Sequence, residues 1–104
     1  MHDKTAYKTK DSHLIAVLES LRTNRPRTRV RVYYDSNWGL YGRNYDDGYV
    51  DRTTGQVKAP ILVYNSRSYG GFYLDDDRII KIVTTREKMV LWARGRHLPP
   101  VGRW

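Results

Sequence analysis

Residues 25–34, RPRTRVRVYY, alternate with a period of two. On an extended chain Thr28, Val30, Val32 and Tyr34 fall on one face, while Arg25, Arg27, Arg29, Arg31 and Tyr33 fall on the other. This is the pattern of an antiparallel strand with one face on a core and one in water. A solvated edge strand also carries charges to prevent aggregation, but lysine serves that end as well as arginine. Alternate strand residues lie about 6.6–6.8 Å apart, which approaches the phosphate separation along a nucleic-acid strand. The planar guanidinium fork suits phosphate and guanine. The stretch therefore points to a β-rich fold and to an arginine-lined strand face that contacts nucleic acid.

Upstream, Leu14, Val17, Leu18 and Leu21 recur at i, i+3, i+4 and i+7. The spacing predicts a helix over 11–22, capped by Asp11 or Ser12 and ended by Asn24 and Pro26. Residues 1–10, with Lys4, Lys8 and Lys10 and little to bury, are expected to form a flexible basic arm.

Downstream, 35–48 is rich in glycine, Asn and Asp and carries Trp38, Leu40, Tyr41 and Tyr45. A loop of this size in a compact domain usually binds something or folds back on its own side chains, so its aromatics are candidates for stacking on bases or clasping a peptide. Short strands are expected at 49–53, 57–64 (broken early by Pro60) and 72–74. A hairpin is expected from 79–83 and 89–93 around Arg86-Glu87-Lys88. The tail from Arg94, with Arg96 and Pro99-Pro100, reads as a basic strap. One α+β domain over 11–93 follows: an N-terminal helix and a small antiparallel five- or six-stranded barrel, SH3-like or OB-like. Its core should hold Leu14, Val17, Leu18, Leu21, Val30, Val32, Ile61, Val63, Ile80, Ile82 and Val90.

Composition bounds the class. The chain has 104 residues, no cysteine and a net charge of +8. Val, Ile, Leu and Phe number only twenty-three, but nine Tyr and three Trp supply burial that leaves one polar atom wet. Without cysteine there is no disulfide framework and no thiolate site. No apolar run is long enough to span a membrane and the N-terminus is polar, so a cytoplasmic location is expected. The charge is uneven: residues 1–34 hold eight basic and three acidic side chains, 35–77 four and seven, and 78–104 seven and one. The two ends thus combine into a basic face opposed by an acidic middle.

Catalysis finds no support. Asp46-Asp47 and Asp75-Asp76-Asp77 read as turn residues, and His2, His13 and His97 lack metal-ligand spacing. There is no nucleophile elbow and no phosphate-cradling glycine loop. The expectation is a non-catalytic nucleic-acid-binding protein without metal or cofactor. Arg25, Arg27, Arg29, Arg31, Arg94 and Arg96 would carry the electrostatics, and Tyr33, Trp38, Tyr41 and Tyr45 the stacking. The alternative is a protein-binding regulator or inhibitor, of the kind a phage or plasmid encodes, docking through the tyrosine-rich loop.

Overall fold

The structure is a computed structural model that describes residues 7–24, 27–50, 61–64 and 67–95. Helix α1 (Ser12–Glu19) runs into a π-helical turn, Ser20–Asn24. Six strands follow: β1 (Val30–Tyr34), β2 (Tyr45–Val50), β3 (Ile61–Tyr64), β4 (Arg67–Tyr73), β5 (Ile79–Thr84) and β6 (Val90–Ala93). They form one antiparallel sheet in the order β4-β3-β2-β1-β5-β6. A closed barrel would require the end strands β4 and β6 to pair, and no such pairing exists among the described residues. The α+β class stands, with an open sheet. No helix among the described residues is long and apolar enough to cross a membrane.

β1 is central. Val30, Val32 and Tyr34 point to the core with Leu14, Val17, Leu18 and Leu21 of the helical segment, all of them buried. The expected strand over 25–34 is shorter than its pattern, because Arg27 has φ 71° and a left-handed residue cannot continue a strand. β2 begins four residues earlier than expected and includes Asp46, Asp47 and Gly48, residues of poor strand propensity. Asp46 and Asp47, expected in a turn, therefore lie on a strand and point to opposite faces, whereas Asp75, Asp76 and Asp77 lie in the turn between β4 and β5 as expected.

Two bulges reassign the core. Tyr33 pairs with Lys81 but Tyr34 with Ile79, which leaves Ile80 as an extra residue in β5. Ile79 and Ile82 then both face inward, three apart, and Ile80 is only half-buried. In β6, Ile82 pairs with Trp92 and Val83 with Val90, so Leu91 is extra. Leu91 and Trp92 are both buried, whereas Val90 is 37% exposed. Ile79 and Leu91 thus occupy core places expected for Ile80 and Val90, while Ile61 and Val63 have side chains outside the described residues.

Polar bonds dock the helix on the sheet edge. Asp11 caps α1 by accepting from the Leu14 amide at 3.1 Å, and its other oxygen accepts from Trp92 Nε1 at 3.0 Å. His13 Nε2 donates to the Leu91 carbonyl at 3.0 Å. Residues 7–9 of the expected arm lie against the fold: the Tyr7 hydroxyl donates to Glu19, and the amides of Lys8 and Thr9 donate to Asp75. The start of the arm, 1–6, and the tail from 96 fall outside the described residues.

Two outcomes follow. Leu18→Ala should cost about 2–5 kcal/mol in a urea melt, from lost transfer energy plus a cavity beneath β1. The indole N–H of Trp92, and then the Leu14 amide, hold the Asp11 carboxyl below its ordinary value. A depressed folded value gives stability that is present above the unfolded value and is lost as pH falls through the folded one. Asp11→Asn should therefore melt lower than the parent at neutral pH, and the two Tm values should converge as pH drops below about 4.

Candidate nucleic-acid interface

The strand pattern that buries Val30, Val32 and Tyr34 turns Arg31 and Tyr33 outward. On β2 it turns out Tyr45, Asp47 and Tyr49, and on β5 Lys81. The sheet register makes these residues neighbours. Tyr33 stands opposite Tyr45 with ring centroids 6.0 Å apart and planes tilted by 52°. Arg31 stands opposite Asp47 and donates Nε and Nη2 to its two oxygens at 2.7 and 3.0 Å. That bidentate pair drives the guanidinium still further into its charged form.

Among the described residues Tyr33, Tyr41, Tyr45 and Tyr49 each have a cation near the ring. Arg31 Cζ lies 4.1 Å from the Tyr45 centroid, and Arg43 lies 5.0 Å from Tyr45 and 5.9 Å from Tyr41. Arg27 and Arg29 approach Tyr49 at 5.4 and 5.5 Å, and Lys81 Nζ lies 4.7 Å from Tyr33. Such contacts contribute about 0.5–1 kcal/mol each at exposed sites. Their larger effect is positional, since they keep long cationic side chains lying on the sheet.

The loop between β1 and β2 extends the platform. A Cβ on Gly39 would come within 2.3 Å of the Tyr45 carbonyl oxygen, so only glycine fits there. Buried Asp46 pins the loop by accepting from the Leu40 amide and the Tyr34 hydroxyl, both at 2.9 Å. Tyr41, at φ 58°, is 90% exposed at the tip. Trp38 is half-exposed, donates Nε1 to Asp35 at 3.0 Å and lies 5.2 Å from Arg78 Cζ.

Of the residues expected from sequence, Arg27, Arg29, Arg31, Tyr33 and Tyr45 meet on one face, and Arg43 links Tyr41 to them. The arginines do not form an evenly spaced row. Arg27 and Arg29 converge on one ring, and Arg31 is matched by Asp47. Trp38 belongs to a separate cluster with Arg78. Arg94 serves the β5 bulge, with its amide donating to Ile80 and Nη2 to Ile79. Arg25 and Arg96 lie outside the described residues. Sequence reading missed Arg43, Tyr49 and Lys81; a period of two carried from Tyr45 to Tyr49 would have found one of them. Comparison of the chain with protein families, curated proteins and solved structures returns no match.

The adjacent carboxylates of β2 should behave differently on removal. Asp46→Ala removes the buried acceptor shared by the Tyr34 hydroxyl and the Leu40 amide and should cost about 1–3 kcal/mol in urea unfolding, with faster proteolysis in 35–44. Asp47→Ala breaks a partly exposed pair and should cost less than about 1 kcal/mol.

Proposed function

We propose that the outer face of the sheet binds single-stranded nucleic acid and carries out no chemistry. The observation that supports this is the grouping of Tyr33, Tyr45 and Tyr49 on the two middle strands, each ring within reach of Arg or Lys. Bases stack on aromatic faces and guanidinium planes while the same cations meet the phosphates. The geometry favours a single strand over a duplex. Stacked bases rise about 3.4 Å per step, whereas Tyr33 and Tyr45 are 6.0 Å apart and tilted, so bases seated on them must be splayed. A net charge of +8 adds a general attraction for a polyanion. A cysteine-free chain is also suited to the cytoplasm, where such a strand would be met.

A second reading has its own observation. Trp38, Leu40 and Tyr41 present exposed apolar surface on a pinned loop, which suits a protein partner. Salt separates the two, because phosphate contacts make affinity fall steeply with log salt and an aromatic-centred protein interface does not.

The test is fluorescence anisotropy of labelled single-stranded DNA, single-stranded RNA and duplex at several salt concentrations. Tyr33→Leu and Tyr45→Leu should each lose about 1–3 kcal/mol of single-strand affinity with the salt slope unchanged. Lys81→Gln should lower the slope by about 0.7. Tighter binding to duplex, or full affinity in both folded tyrosine variants, would rule out the stacking platform.

A further inference from the structure

Where β5 turns into β6, the outer face carries a recess of about 30 Å³ walled by Arg31, Tyr33, Val83, Thr84, Thr85 and Lys88. A water-sized sphere needs about 10–15 Å³, so the recess takes two or three oxygen-sized atoms and excludes a base or a sugar. The Thr85 hydroxyl donates to the Arg29 carbonyl and the buried Thr84 hydroxyl accepts from the Met89 amide, so the guanidinium and the ammonium are what the recess offers to an oxyanion. Asp47 orients Arg31 but also matches its charge, so the uncompensated charge at the recess is that of Lys88. The exposed Glu87 beside it makes no ion pair with Lys88 among the described residues.

The backbone supplies an independent observation. Among the described residues three non-glycines have left-handed φ: Arg27 at 71°, Tyr41 at 58° and Lys88 at 62°. Glycine would relieve each position, yet each holds a cation or an aromatic ring. Arg27 lies over Tyr49, Tyr41 meets Arg43, and Lys88 closes the recess. Cationic and aromatic side chains thus stand at the rim of this face in a backbone conformation that favours glycine, and strain of this kind clusters at binding sites.

We infer that the recess is a phosphate subsite, which seats one phosphodiester of a strand whose neighbouring base meets Tyr33. The inference rests on the proposed reading of the sheet face, and its test keeps the two apart. Inorganic phosphate, and separately acetate, are titrated into the full chain while the amide signals of Thr84, Thr85 and Lys88 are followed by NMR. Anisotropy of a single-stranded oligonucleotide is measured in parallel across salt. Phosphate should move those amides in the parent and not in Lys88→Gly, a variant expected to melt at or above the parent. Lys88→Gln should lower the oligonucleotide salt slope by about 0.7. If the parent and Lys88→Gln bind oligonucleotide with the same slope and phosphate moves no recess amide, the subsite is overturned while the platform stands. If phosphate titrates the recess but no oligonucleotide binds, the subsite holds for free phosphate or a phosphomonoester and the nucleic-acid reading falls. Equal response to acetate would overturn the assignment to phosphate.

Discussion

The alternation of side chains along Val30–Tyr34, in a strand paired on both sides, divides the molecule in two. Val30, Val32 and Tyr34 are held against the helix by the hydrophobic effect, and the pleat then leaves Arg31 and Tyr33 no choice but the opposite face. Slipping the register by one residue would bury an arginine and expose two valines, so core packing is what fixes the outer surface. The cationic face is a consequence of the core rather than a separate addition to it.

β2 repeats that division with charge in place of apolar side chains. Asp46 and Asp47 are chemically identical and one residue apart, yet the first is buried as an acceptor for Tyr34 and Leu40, and the second lies outside against Arg31. A buried carboxylate is tolerable when its oxygens meet donors, and here the donors come from the strand and loop that need fixing. The β1–β2 loop is therefore anchored from beneath, which places Tyr41 and Arg43 beside the sheet face instead of leaving them to diffuse.

The helix and the inward face of β1 were legible because their apolar residues follow a single period without interruption. The sheet was legible only where strands are regular. Nothing in the Ile79–Val83 run says that Ile80 is an extra residue, because a bulge arises from pairing with a partner strand and not from the run itself. The same holds for Leu91. The start of β2 was read as loop because Asp-Asp-Gly opposes strand propensity, and those aspartates make side-chain contacts to Tyr34 and Arg31, twelve and sixteen positions away, as well as to the nearer Leu40 amide. On the candidate site, alternation placed Arg31 and Tyr33 correctly but overextended to Arg27, whose left-handed backbone ends the strand. Lys81 joins the face only through its register opposite Tyr33, information that a linear reading lacks.

The proposed function bears on the electrostatics of the outer face. Arg27, Arg29, Arg31, Arg43 and Lys81 crowd three rings, and among the described residues Asp47 pairs with Arg31. Like charges gathered this way repel one another and oppose folding, and ring quadrupoles offset only part of that repulsion. The cheapest arrangement for stability alone would spread the cations over the molecule or intersperse more carboxylates. A polyanion laid across the face would convert the repulsion into attraction, release condensed counterions and let bases meet the guanidinium groups that now lie near tyrosine. Under the proposed function, the arrangement that is costly for the isolated chain is the one that a bound strand would make favourable.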